Sequence, residues 1–321
     1  MSTPVEEHTP APGSNGLPDE DTLAQVEAAA VDAATQAGAM VADRFGGMLE
    51  VSSKGSVEGK DLVTDVDRAS QNIIAEIMHS RFPDHMLLGE EEAPENEPPA
   101  KDFIWAVDPI DGTTNFVNNL PMHAVSIGVL HRGRPVAAAV WLPWPSKTGF
   151  ALLHGHLGGG AWLDGRRLKI EEPEGDATPK PGRLSALPGS LPYAYDIGRP
   201  LMSALGEPRV SGSTAYETAL VAAGVMQYGI SGPAWVWDFA ATTLLIREAG
   251  GVALALDSNR QWAPLTQWGG PYTNDTETST RIRRWNGPVI SGPPGVASFI
   301  AANLRPRQRS LWQRAIRRFK R

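Results

Sequence analysis

Asp108 and Asp111 stand three residues apart at the end of an apolar run that begins at Phe103, and Gly112, Thr113 and Thr114 follow directly. Pro109 interrupts the run and Gly112 frees the backbone. The stretch reads as a buried strand that delivers two acids and a hydroxyl onto a tight turn. Burying carboxylates side by side is costly without a compensating cation. Oxygen donors of this kind suit a hard divalent ion, Mg2+ above all. Taken alone, the string reads equally well as a strand running into a polar turn, since Asp, Pro, Gly and Thr are ordinary turn residues.

Three further places release acids where apolar structure ends: Asp61 to Asp67, Glu90 after Leu88-Gly89, and Asp238 after Trp237. Ends of strands and starts of helices are where α/β folds collect ligands. Helix N-termini after Asp111 and at Asp238 would draw phosphate through backbone N–H groups. Acids and helix N-termini belong together where two or more Mg2+ ions bridge carboxylates to a phosphate. Such a site can clamp the attacking and the leaving oxygen of an in-line displacement.

The elements that must position these residues follow from periodicity and punctuation. Asp21 or Thr22 can cap a helix to about Phe45, with Leu23, Val26, Ala30, Ala34 and Val41 on its apolar side. Residues 52–61 read as a polar loop that carries Lys60 near the site. A second helix starts near Thr64, with Asp67 at capping-box spacing and Ile73, Ile74, Ile77 and Met78 as its buried stripe. Asp67 at this point reads either as a cap or as part of the site. Residues 124–130, 136–141 and 150–153 predict an antiparallel meander with turns at 131–135 and at Asp164-Gly165. Residues 171–183 read as a linker. Helices after Thr214 and from Trp237-Asp238, strands at 252–256 and 288–290, and a closing helix to about Leu304 then alternate, as in an α/β unit. The expected division is a leader over 1–21, an N-terminal α+β domain over 22–183 with most site acids, a C-terminal α/β domain over 184–304, and a basic amphipathic tail over 305–321.

With 321 residues, 41% hydrophobic and 20% charged, the chain is long enough for two packed units. Its lack of cysteine excludes disulfides, thiolate chemistry and thiolate-bound metals. The leader lacks the apolar core of a signal peptide and no run reaches membrane-spanning length, so a cytoplasmic protein is expected. The net charge is −7, and setting aside the eight cations from Arg305 onward leaves −15 on the body. An acidic body is a poor general nucleic-acid binder, and it takes an anionic substrate only where bound cations reverse the local field. The tail's Leu311, Trp312, Ala315, Ile316 and Phe319 suit a solvated or self-packed helix better than a membrane-surface one. Glu91 and Glu92 read as a solvated acidic face. His154-Gly155-His156 reads as loop decoration, and the ten tryptophans as core and rim residues.

The residues 108–116, Asp-Pro-Ile-Asp-Gly-Thr-Thr-Asn-Phe, and the second string Trp237-Asp238-Phe239-Ala240-Ala241 with Glu248-Ala249-Gly250-Gly251, resemble the two signatures of the inositol monophosphatase family. Leu88-Gly89-Glu90-Glu91, Asp61-Leu62-Val63-Thr64 with Asp67, and Gly212-Ser213-Thr214-Ala215 match in order and spacing. The resemblance covers about Leu23 to Leu304. It implies a layered α-β-α-β-α sandwich of α+β and α/β parts, a homodimer, and Mg2+-dependent, often lithium-sensitive phosphomonoester hydrolysis. It also implies roles. Glu90, Asp108, the Ile110 carbonyl and Thr113 would hold one Mg2+, Asp108, Asp111 and Asp238 a second, and Glu90 a weaker third. Thr113, oriented by Asp67, would polarise the attacking water, while Gly112, Thr113, Thr114, Ser213, Thr214 and Asp238 would contact substrate. The family's inositol-binding members usually carry Glu seven residues before the second-signature Asp. Ser231 stands there in this chain, which leaves fructose 1,6-bisphosphate, histidinol phosphate and other sugar phosphates open beside inositol monophosphate.

Overall fold

The computed structural model describes residues 16–53, 62–91 and 94–307; Lys60, Asp61, Glu92 and the stripe from Leu311 to Phe319 lie outside the described residues. Helix α1 (Glu20–Arg44) buries the predicted stripe, and its alanines let it lie close to a sheet. Asp19, rather than Asp21 or Thr22, caps it by accepting the Thr22 N–H at 2.8 Å. The helix therefore begins inside the stretch expected as leader. Helix α2 (Asp65–Arg81) buries Ile74 and Met78, with Ile73 and Ile77 packed at the edge of the same core.

The first sheet follows chain order: β1 (Met86–Gly89), β2 (Phe103–Asp111), β3 (Ala124–His131), β4 (Arg134–Pro143), β5 (Phe150–His156), β6 (Gly160–Leu163) and β7 (Arg166–Arg167). Only the β1–β2 pair is parallel. Its predicted hairpin turns carry Arg132 and Gly133, and Asp164 and Gly165, at positive φ, the handedness that suits a tight hairpin. Helix α3 (Thr113–Val117) follows β2.

Beyond the irregular residues 171–183, the second sheet comprises β8 (Leu184–Ala186), β9 (Glu207–Arg209), β10 (Tyr228–Ile230), β11 (Val252–Leu256), β12 (Trp262–Pro264) and β13 (Val289–Gly292), in the order β9-β8-β10-β13-β11-β12. Helices α4 (Thr214–Ala222) and α5 (Val236–Glu248) lie between the sheets. Helix α6 (Thr276–Arg284) anchors Ile282 in the core beside Ile104, and α7 (Pro294–Asn303) covers the outer face of the second sheet. With α1 and α2 on the outer face of the first sheet, the layers run α-β-α-β-α. Every residue of α5 from Val236 to Ile246 is buried, as a helix between two sheets requires. A Cβ at Gly128 would fall 2.5 Å from the Ala240 Cβ, so this glycine lets α5 rest directly on β3. No helix of the described residues is long and apolar enough to cross a membrane. The chain from 304 to 306 pairs with 195–197, and Arg307 reaches Asp196 at 2.7 Å, so the expected tail is tied to the body at its start.

Candidate active site

Strand β2 pairs regularly with β3 down to Asp108, opposite Ser126, then slips by one residue so that Asp111 meets Ala124. A bulge of this kind re-aims side chains, and here it leaves both acids buried. The Ile110 N–H donates to Asp108 Oδ1 at 3.0 Å and holds that carboxylate against the turn. Gly112 follows at φ 95°, where a Cβ would meet the Met122 carbonyl and the Ser213 side chain at 3.0 Å. Only glycine fits this left-handed position at such close quarters.

Asp238 arrives from the far side of the sheet on the first turn of α5, where its Oδ2 accepts the Trp235 N–H at 2.5 Å. Ser126 ties that turn to the sheet by donating to the Trp237 carbonyl at 3.1 Å. Asp108, Asp111 and Asp238 bring one carboxylate oxygen each to within 4.8 Å of one another. Burial, then the charges of Glu90, Asp111 and Asp238, hold the Asp108 carboxyl well above its ordinary range. Burial, Asp111 and Glu90 do the same to Asp238. Burial lifts Asp111 to about 7 against the hydrogen bonds it accepts from Ser213 and Ala215. Glu90, whose N–H bonds the Val107 carbonyl at 3.1 Å, adds its charge to all three. Acids crowded this way release their protons when a divalent cation replaces them, and an all-oxygen donor set fits Mg2+.

Thr113 and Asp67 also meet. The Thr113 hydroxyl lies 3.1 Å from Asp67 Oδ1 and 3.0 Å from the Ile110 carbonyl. Asp67 Oδ2 accepts the Thr64 N–H at 2.8 Å and the Thr64 hydroxyl at 2.5 Å. One oxygen of Asp67 thus caps α2 and the other faces Thr113. Ser213 donates to Asp111 Oδ2 at 2.8 Å and accepts the Tyr216 N–H at 3.2 Å. Its hydroxyl thus fixes Asp111 and starts α4, with Thr214 as the first residue of that helix.

Several positioning residues escape the sequence argument. Ser70 donates to the Pro109 carbonyl at 3.0 Å, and the Gln71 amide clamps the Glu91 backbone at 3.0 and 3.2 Å. Their signal was present as polar residues one turn beyond Asp67 on a buried helix face. Asn115 bridges the Met122 and Ser211 carbonyls at 2.6 and 2.7 Å, which joins the two turns of the site. Buried Glu217 accepts the Ser211 N–H at 2.5 Å. Glu91 is itself buried, not part of a solvated face, because Gln71 draws its backbone inward. His154 and His156 are not loop decoration either: they lie on β5, where both bond the half-buried Glu27 of α1. At the position where a substrate-binding Glu is usual, the Ser231 hydroxyl donates to the Val289 carbonyl at 3.1 Å and accepts its N–H at 3.2 Å. That hydroxyl is committed to holding β10 to β13. Trp105 and Trp268 are core residues and Trp235 is an exposed one, as a core-and-rim distribution predicts.

A model described as the inositol monophosphatase family matches residues 22–284. The Nus factor SuhB of Escherichia coli (strain K12) is 32% identical over 86% of this chain and 94% of its own length. The fructose-1,6-bisphosphatase/inositol-1-monophosphatase of Aquifex aeolicus (strain VF5) is 30% identical over 68% of this chain and 81% of its own. Among solved structures, the extragenic suppressor protein suhB from Bartonella henselae matches with a TM-score of 0.66 at 26% identity, covering 87% of this chain and 98% of that one.

Proposed function

The chain belongs to the inositol monophosphatase family and is a phosphoric monoester hydrolase, and we propose that it works with Mg2+ on a small sugar or polyol phosphate, inositol monophosphate first among them. The convergence of Asp108, Asp111 and Asp238, with carboxylate oxygens within 4.8 Å, carries this reading. Glu90, Asp108, the Ile110 carbonyl and Thr113 would hold one ion, Asp108, Asp111 and Asp238 a second, and Glu90 a third. Bound Mg2+ supplies charge neutralisation at the phosphate and lowers the pKa of the attacking water. The protein's own part begins at Thr113. A water donating to its hydroxyl oxygen can be relieved of its proton through that hydroxyl toward Asp67 Oδ1, 3.1 Å away. Thr64 holds Asp67 for this task through two hydrogen bonds to Oδ2. The N–H groups of Gly112, Thr113 and Thr114, at the start of α3, take phosphate oxygens, since the first N–H groups of a helix lack intrahelical acceptors. Ser213 keeps Asp111 in register, and Thr214 and Asp238 meet the substrate alcohol.

The test is phosphate release, with and without Mg2+ and with added lithium, from inositol, fructose, histidinol and nucleotide phosphates. Fructose 1,6-bisphosphate and histidinol phosphate are the alternative substrates. Asp108→Asn and Asp238→Asn should each lower release about a thousandfold or more, since they remove the cation-binding charge on which the chemistry depends. Retained turnover in either folded variant removes the assignment. The similarity to proteins named Nus factor favours a second reading, a catalytically silent regulatory binding protein. Mg2+-dependent release by the wild type separates the two. We place the enzyme in the cytoplasm as a homodimer, with sedimentation expected at twice the 34.4 kDa of the chain.

A further inference from the structure

Trp235 is the one tryptophan among the described residues that is exposed, at 42% of its full accessible surface. Its indole is not loose. It stacks on buried Trp237 with ring centroids 5.6 Å apart and planes 18° from parallel. Its backbone pairs with Asn286 in a short antiparallel ladder, Ala234 meeting Gly287 alongside. Its backbone N–H donates to Asp238 Oδ2 at 2.5 Å, so the ring springs from a residue bonded directly to the acid cluster. The Trp237 carbonyl is bound in turn by Ser126, the residue paired with Asp108 across the sheet. The backbone that carries the two indoles is thus bonded to Asp238 and, through Ser126, to the residue that pairs with Asp108. Ser231 meanwhile has its hydroxyl proton committed to the Val289 carbonyl and so has no donor left for a substrate oxygen.

We propose that Trp235 is a specificity residue: an aromatic shelf that stacks on the ring of the phosphate ester's alcohol part, so that the enzyme reads ring shape rather than hydroxyl pattern. The proposal rests on the phosphomonoesterase reading above. An indole backed by a second indole presents a flat, rigid, apolar face at little cost in side-chain freedom. Planar bases stack on such a face directly, and saturated sugar or cyclitol rings lay their C–H faces on it. The substrate class is a phosphate monoester of a cyclic alcohol. Open-chain polyol phosphates reach the same acids without the shelf.

The experiment compares wild type, Trp235→Ala and Trp235→Phe on two ring esters, an inositol monophosphate and a nucleoside 2′-monophosphate, and one open-chain ester, glycerol 2-phosphate. In Trp235→Ala the KM for ring esters relative to glycerol phosphate should rise about tenfold, the scale of one lost ring stack, with kcat for ring esters within about twofold. Trp235→Phe should recover most of the difference, because it restores an aromatic face. An unchanged ratio in an active Trp235→Ala protein overturns the shelf while leaving the phosphatase reading intact. A change of oligomeric state with an unchanged ratio overturns it too, and marks the exposed ring as a subunit contact. Absence of phosphate release by the wild type on every ester overturns the phosphatase reading itself.

Discussion

At Asp111, burial pushes the carboxyl up to about 7 even though Ser213 and Ala215 bond its charged form. The unfolded chain loses that proton near the ordinary value of 3.8. Between those values the folded protein binds more protons than the unfolded one, so stability falls as pH rises through the window. Asp108 and Asp238 shift in the same direction. Without divalent ions, the melting temperature should therefore drop from pH about 5 to about 7.5, and Mg2+ should flatten the profile. Scanning calorimetry in chelator checks this, and a slope that survives unchanged in Asp111→Asn would contradict it. Asp67 supplies the second residue-scale prediction. Asp67→Asn keeps the shape but weakens the acceptor facing Thr113, so kcat should fall about a hundredfold while the Mg2+ concentration giving half-maximal rate stays within about twofold. A purely capping role would instead lower stability by about 1 kcal/mol with kcat unchanged.

Among elements, α1 and β5 are joined by an ionic cluster in addition to their apolar faces. Glu27 accepts from His154 at 2.6 Å and bonds His156, which reaches Glu20 at 2.8 Å on its other nitrogen. Burial alone would raise Glu27 and lower His156, yet the bonds of Glu27 to His154 and His156, and of His156 to Glu27 and Glu20, reverse both shifts, leaving Glu27 below and His156 above its ordinary value. The Glu27 contribution is present above about 4.5 and lost as pH falls; the His156 contribution is full below 6.5 and lost as pH rises through its folded value. Glu27→Gln should therefore destabilise by about 1–3 kcal/mol near pH 6 and by less near pH 8.5. Urea unfolding at the two pH values decides; an equal loss at both removes the ionic account. Element boundaries were legible where side chains punctuate them: the Thr64–Asp67 capping box forms as read, and β11 spans 252–256 as predicted. Helix α6 was not legible, because its sequence is polar and turns a single apolar residue, Ile282, toward the core. The histidines were misread because β5 runs three residues beyond the apolar stretch, and only its partner helix explains why.

For the whole molecule, the layered order follows from which faces are apolar. Helix α5, buried all round, can only lie between two sheets, and the sheets then need outer helices of their own. The start of the basic tail belongs to this body, since 304–306 pair with 195–197. Truncation after Arg307 should therefore leave the melting temperature within about 2 °C and phosphate release unchanged, on the scale expected for surface changes. Any binding to anionic vesicles should be lost with the removed cations. Cutting after Leu304 should lower stability measurably, because it removes strand pairing and the Arg307–Asp196 contact. A cut there without thermal effect would show the ladder to be idle.

The sequence by itself determined which chemical groups are available and the family they point to. Acids at strand and helix ends, a glycine-hydroxyl turn and their spacing are local facts, so Glu90, Asp108, Asp111, Thr113 and Asp238 could be read from the chain. In the fold the carboxylates of Asp108, Asp111 and Asp238 meet, and the charge of Glu90 acts on all three. Only the tertiary structure decided how each group is held and what it has left to offer. Ser213 is turned to Asp111, Ser231 is taken up by a neighbouring strand, Gln71 draws in Glu91, and Trp235 is stacked with an open face. The reason is physical: residue type and spacing set which bonds a group can make, whereas which partner it finds depends on which elements the fold brings against it.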